Sequence, residues 1–228
     1  MKSLKSYIQE KLIIKKSKSN SYKYFPKTKE ELKDIIVKRI EEEGKEVDLN
    51  DINVSKITDM SNLFEYLDFN GDISGWDVSN VTNMNYMFAR CKKFNQDISE
   101  WDVSKVTNMR AMFYECKAFN QDISDWDVSK VTDMSYIFYK CEAFNQDISG
   151  WNVSNVTDMY STFYRCKSFN QDISGWDVSN VTNMEFMFGD CGLFNQDISN
   201  WDVSNVTHKY GIFTSCKIEE KYKPNFFK

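Results

Sequence analysis

Tryptophan recurs at Trp76, Trp101, Trp126, Trp151, Trp176 and Trp201, and cysteine at Cys91, Cys116, Cys141, Cys166, Cys191 and Cys216, each series with a spacing of 25 residues. The unit is Phe94 to Ala118, FNQDISEWDVSKVTNMRAMFYECKA. A segment of this size cannot bury an apolar face alone, so its copies must stack and share one core. The period overrides the one or two domains that a length of 228 residues would suggest. Three parts follow: a basic N-terminal segment with a capping helix over 1–46, about seven coils over 47–216, and a tail over 217–228.

The first 24 residues hold seven lysines and one acid, Glu10, against a net charge of −5 for the whole chain. The coils therefore carry the acidic balance, which argues against a nucleic-acid partner along them. No run of 18 apolar residues exists, so no membrane span is expected. The N-terminus lacks the apolar core and small-residue cleavage site of a secretory signal, and the chain is expected to be cytoplasmic as synthesised. Incorporation into a phage particle, or display by a non-classical route, is the alternative.

Leu4, Tyr7, Ile8 and Leu12 have helical spacing and predict a short amphipathic helix over 1–14, followed by a basic loop from Lys15 to Lys23. Thr28 with Glu31 three residues on is a capping box, and Gly44 is a left-handed stop. Between them a helix of about Lys29 to Glu43, with Leu32, Ile35, Ile36 and Ile40 on one face, suits a cap over the first coil. That first coil is degenerate: Leu49 replaces the repeated isoleucine, Ile52 the tryptophan and Leu67 the cysteine.

Within a full coil, Met109, Met112, Phe113 and Cys116 follow Thr107 at i, i+3, i+4 and i+7 spacing. That reads as a two-turn helix with threonine as N-cap. Phe94 to Trp101 lacks this period and reads as a short strand, paired in parallel from coil to coil. The expected fold is thus an α/β, leucine-rich-repeat-like solenoid of strand–short helix coils with a parallel sheet; an all-β helix is the runner-up. The six cysteines share one repeat position after an apolar set, so they are read as a column of reduced, buried thiols. Disulfides between adjacent coils are the lesser reading, and zinc has neither CxxC pairs nor a second histidine beside His208.

The segments DISGWDVSNVTNM, Asp72 to Met84, and MFYECKAFNQDIS, Met112 to Ser124, resemble the BspA-like leucine-rich-repeat family, found in bacterial surface proteins and mycoplasma lipoproteins. The resemblance covers about Val47 to Cys216. It implies a leucine-rich-repeat-like solenoid and a binding role, often at a cell surface, and brings no catalytic residues. The chain departs from that pattern in having no signal peptide or anchor motif. The segment YFPKTKEELKDIIVKRIEEEG is similar to caps that precede such repeats in proteins of gut bacteria and their phages.

Two aspartate columns are conspicuous, one at Asp72, Asp97, Asp122, Asp147, Asp172 and Asp197, the other at Asp77, Asp102, Asp127, Asp177 and Asp202 with Asn152 between. Carboxylates so placed can do acid/base work or bind calcium. Catalysis needs one special pair, whereas here each coil has the same set, and turn N–H groups or neighbouring Asn and Ser are the simpler partners. The threonine Asn-X-Thr sequons arise from the repeat itself. Phosphate-cradling glycine loops do not occur, and His208 has no nucleophile near it. No cofactor, metal or catalytic site is expected.

Positions that differ between coils are released from packing. Tyr86, Arg110, Tyr136, Tyr160 and Phe186 lie at such positions, and Tyr114, Tyr139 and Tyr164 form a stripe flanked by Glu115, Lys140 and Arg165. Tyrosine and arginine are enriched at protein interfaces, so these eight residues are the candidate partner-binding set; stacking between coils is the competing role. The polar face of Asn95, Asp97 and Ser99 is the other candidate. The chain is accordingly expected to be a non-catalytic protein-interaction scaffold, or alternatively a structural component of a phage particle or other assembly.

Overall fold

A computed structural model describes residues 22–226. The helix expected over 1–14 and the loop expected from Lys15, except its last two residues, lie outside that range. Helix α1 spans Lys29–Glu43. Thr28 is extended, and its hydroxyl accepts the Glu31 N–H at 3.2 Å. The Glu31 carboxylate reaches back to the Lys27 N–H at 2.7 Å, one residue earlier than in an ordinary capping box. Gly44, at φ 94°, ends the helix.

Leu32 and Ile36 are wholly buried against the first coil, each stabilising the contact by about 1.5–3 kcal/mol. Lys29 Nζ bonds Asp59 and Ser61 at 3.0 and 2.9 Å, and Lys33 Nζ bonds the Asn62 carbonyl at 3.0 Å. Arg39 pairs with Asp51 at 2.9 Å and with Glu43. α1 therefore closes the N-terminal end of the stack.

Beyond α1, the described residues contain one 3-10 turn, Glu220–Tyr222, and no strand longer than a single bridged residue. The α/β solenoid of strand–short helix coils with a parallel sheet is thereby overturned, and so is the all-β alternative. Parallel pairing shrinks to one residue per coil, in the chain Asp59, Asn83, Asn108, Asp133, Asp158, Asn183, His208.

What replaces strand and helix is a run of tight turns. Three five-residue motifs make most of a coil: Asp97-Ile-Ser-Glu-Trp101, Asp102-Val-Ser-Lys-Val106 and Asn108-Met-Arg-Ala-Met112. In each, the first side chain accepts the N–H two residues on, at 3.0, 3.1 and 3.0 Å. The second residue's carbonyl then accepts the N–H of the fifth, as in Trp101 to Ile98, Val106 to Val103 and Met112 to Met109. Asp and Asn side chains that satisfy the backbone locally compete with helix and sheet, and here they win three times per coil.

The helical spacing has a different cause from the one expected. A turn closed from i to i+3 places those two residues on one side, just as a helix does. Met109, Met112, Phe113 and Cys116 are all buried by successive turns rather than by a helix. Thr107 is no N-cap: its N–H and hydroxyl both bond the Thr82 carbonyl of the preceding coil, at 2.9 and 3.3 Å.

The segment 84–91, here called the outer arm together with its equivalents, shows how the backbone is satisfied. The N–H groups of Met84, Tyr86, Phe88 and Arg90 bond carbonyls of the next coil. Those of Met87, Ala89 and Cys91 close local turns, and that of Asn85 bonds the Asn83 side chain. No donor is left over, which is what a buried irregular backbone requires.

The core is built of columns. Phe64, Phe88, Phe113, Phe138, Phe163, Phe188 and Phe213 stack with centroids 5.4–5.9 Å apart. A second phenylalanine column, Phe94 to Phe194, lies 3.9–4.2 Å from the first within each coil. Trp101 and its successors donate Nε1–H to an isoleucine carbonyl of the preceding coil at 3.0–3.3 Å. All six cysteines are free, and Cys91 to Cys191 are buried. Each of these five donates to the preceding coil's phenylalanine carbonyl at 2.9–3.1 Å.

Candidate interaction face

The repeated polar groups are engaged by their own coil or by the coil beside it. Both aspartate columns hold Asx turns, as in Asp122 with Ser124 and Asp127 with Ser129, each accepting the serine N–H at 3.0 Å. The Ser124 N–H, and for Asp127 the Ser129 hydroxyl first and its N–H second, hold these carboxyls below the usual range. The asparagine column is a ladder: Asn120 N–H bonds Asn95 Oδ1 at 2.8 Å, and the Gln121 side chain bonds the Asn95 carbonyl at 2.9 Å. The polar face of Asn95, Asp97 and Ser99 is thus occupied by its own neighbours. His208 is exposed, its Nδ1 3.0 Å from the Thr207 hydroxyl. Among the described residues no group of three His, Cys, Asp or Glu side chains converges as metal ligands do.

The outer arms behave differently. Two residues in nearly every arm adopt the left-handed region, such as Ala111 and Glu115 at φ 53° and 58°, or Tyr136 and Lys140 at 60° and 57°. Each is the third residue of a tight turn, where a positive φ lets the chain reverse. The residue types at these positions differ from coil to coil, and so do those just before them.

On this face the side chains touch one another. Tyr114 and Tyr139 stack at 4.6 Å, and Tyr139 and Tyr164 at 5.1 Å. Tyr136 meets Tyr139 and Tyr160 edge-on at 5.7 and 4.9 Å. Phe186 joins Tyr160, Tyr164 and Tyr210 at 6.2, 6.2 and 5.3 Å. Cations lie over the rings: Arg110 on Tyr136 at 5.1 Å, Lys140 on Tyr139 at 5.1 Å and Arg165 on Tyr164 at 5.3 Å. Tyr86 and Arg110 line a shallow hollow of about 260 Å³ with Tyr66, Arg90, Tyr114 and Tyr136. All eight candidate residues, Tyr86, Arg110, Tyr114, Tyr136, Tyr139, Tyr160, Tyr164 and Phe186, therefore belong to one continuous surface. Burial, then the contact with Tyr160, pushes the Tyr136 phenol up to about 12, so it stays protonated at neutral pH.

Three members escaped the sequence reading. Tyr66 lies in the degenerate first arm, with Arg90 4.6 Å above its ring. Tyr210 ends the surface and is 72% exposed. A signal for the whole set was present as a second period. At the first left-handed position large and small residues alternate, from Tyr86, Ala111, Tyr136 and Ser161 to Phe186 and Gly211. The last large ring leans over the next coil's small residue: a Cβ added to Gly211 would lie 2.6 Å from the Phe186 ring. Likewise a Cβ on Gly189 would lie 2.7 Å from Tyr164, where the tyrosine stack ends. The packing unit of this face is two coils, not one.

Among the described residues no helix is long and apolar enough to cross a membrane. No curated protein matches the chain. The model of a family described as "Mycoplasma protein of unknown function, DUF285" matches residues 36–149 and again 120–223. With its coils matched twice over by that model, the chain belongs to the DUF285 family of repeat proteins.

Proposed function

We propose that this chain is a non-catalytic scaffold that binds a protein partner through the aromatic and cationic face of its outer arms. The observation that carries the reading is a division of labour. Repeated polar side chains are spent on turns and ladders, whereas the variable residues of the outer arms meet on one half-exposed surface rich in tyrosine and arginine. Such residues are favoured as anchors at interfaces because they offer large, rigid contact area with a polar edge. The stacked tyrosines already cover one another's ring faces, so a partner meets ring edges, phenol groups and cations. The resemblance to BspA-like surface repeats adds weight to a binding role.

The test is a photo-reactive phenylalanine placed at Tyr139 and, separately, at exposed Asp125 on the aspartate side, in extract of the cells that make the protein. A single protein adduct from position 139 and none from 125 is the expected result. Equal labelling from both, or none from 139, would refute the assignment. Tyr139→Ala and Tyr164→Ala should each weaken the captured partner's affinity tenfold or more. Each removes stacking worth about 0.5–1.5 kcal/mol, so melting should shift by only a few degrees, on the order of 2–4 °C per kcal/mol.

A further inference from the structure

The two ends of the stack are not equivalent. At the N-terminal end α1 covers the first arm, where Ser61 is 7% exposed and Leu63 and Phe64 are fully buried. At the C-terminal end the tail covers only part of the last coil. Glu219 N–H continues the asparagine ladder by bonding Asn195 Oδ1 at 2.8 Å, Tyr222 accepts the Ile198 N–H at 3.0 Å, and Lys223 lies 5.6 Å from the Phe213 ring.

The last outer arm, 209–215, is left unfinished beyond Lys209, whose Nζ bonds the Phe226 carbonyl of the tail at 3.1 Å. In the arm before it, Met184, Phe186, Phe188 and Asp190 donate their N–H groups to His208, Tyr210, Ile212 and Thr214. The corresponding N–H groups of Gly211, Phe213 and Ser215 have no acceptor among the described residues. They form a row of donors at two-residue spacing, beside the exposed ring of Tyr210.

The interior shows what completes such a row. The arm 159–165 carries the same pair of types as the last one, Tyr160 and Ser161 standing where Tyr210 and Gly211 stand. Its donors Met159, Ser161, Phe163 and Arg165 are met by the carbonyls of Asn183, Glu185, Met187 and Gly189. Its Tyr160 ring is met by Phe186 at 6.2 Å. We infer that the arm 209–215 is an open docking edge for an outer arm of this repeat type that carries an aromatic residue at its first left-handed position, supplied by another repeat protein. A second folded copy of this chain does not fit. Its C-terminal edge presents donors against donors, and its N-terminal arm lies under α1 with Asn62, not an aromatic, at that position. The contact is backbone addition to an exposed edge, with one ring pocket for specificity.

The probe is an acetylated, amidated peptide of residues 183–190 of this sequence, and its Phe186→Ala version, added to the full chain. Amide exchange is read residue by residue. The expected result is at least tenfold slower exchange at Gly211, Phe213 and Ser215 with the phenylalanine peptide. Its binding should weaken roughly tenfold for the Phe186→Ala peptide, and equally when the chain carries Tyr210→Ala. No protection at millimolar peptide would overturn the inference, as would equal protection by both peptides or protection confined to the tyrosine face. Sedimentation of the chain alone should show no head-to-tail association; its appearance would contradict the stated occupant.

Discussion

Tryptophan and cysteine are repeated because each satisfies a carbonyl that the neighbouring coil leaves open. Trp126 fills the core and donates to the Ile98 carbonyl at 3.2 Å. Trp126→Phe should therefore cost about 2–3 kcal/mol, from the lost hydrogen bond plus the volume removed, read as a lower denaturant midpoint with unchanged slope. The thiols are donors of the same kind. Burial pushes the Cys91 thiol up to about 12, and nucleophilic attack needs the thiolate. A thiol reagent at pH 8 should leave Cys91 to Cys191 unreacted in the folded chain, with slow reaction only at half-buried Cys216, and should count six thiols after unfolding. A fast native reaction of more than one thiol would contradict this packing. That these residues are internal was legible from their period alone. Their hydrogen bonds were not, because each partner is a backbone carbonyl in the preceding coil, outside the repeat being read.

At the level of the element, the helix α1 could be read from its ends, since Thr28 is a local start signal and Gly44 a local stop signal, and their chemistry does not depend on the rest of the chain. The coil could not. Apolar residues at i and i+3 serve a helix and a tight turn alike, and the discriminating letters are polar: Asp97, Asp102 and Asn108, each two residues ahead of an N–H that it binds. The arms also place ordinary residues in a backbone region that favours glycine. Ser161, at φ 52° and 3% exposed, stands under that constraint. Ser161→Gly should stabilise the chain by about 0.5–1 kcal/mol, since the left-handed conformation costs a residue with a Cβ roughly 1–2 kcal/mol and glycine's greater unfolded freedom returns part of it. Gly189→Ala should do the reverse, by about 1–2 kcal/mol, because the added methyl strikes the Tyr164 ring. Both are read by thermal melting, and a stabilising Gly189→Ala would remove the argument for a closely fitted tyrosine stack.

For the whole molecule, charge ties coils together on the surface as hydrogen bonds do within. Glu142 lies between Lys117 and Lys167 of the two adjacent coils, at 2.8 and 2.6 Å, and hydrogen bonds from Lys117 first and Lys167 second hold its carboxyl down to about 2. Asp122, Asp147 and Asp172 are lowered by their serine N–H bonds. A carboxyl lowered on folding contributes stability above its unfolded pKa and loses it as pH falls through the folded one. Melting temperature should therefore hold near neutrality and decline from about pH 4 toward 2, and Glu142→Gln should flatten the lower part of that decline. The acidic balance, the stack of seven coils and the eight variable residues were all visible in the sequence. That those residues form one surface depends on turn geometry, which inverts the expected strand and helix. Backbone couplings and Cα shifts by NMR across residues 109–116 and the equivalent arms test that geometry most directly. Positive φ at Ala111, Glu115, Tyr136, Lys140, Ser161 and Arg165, with extended or turn values between them, is the predicted result; uninterrupted helical shifts from Met109 to Cys116 would contradict it.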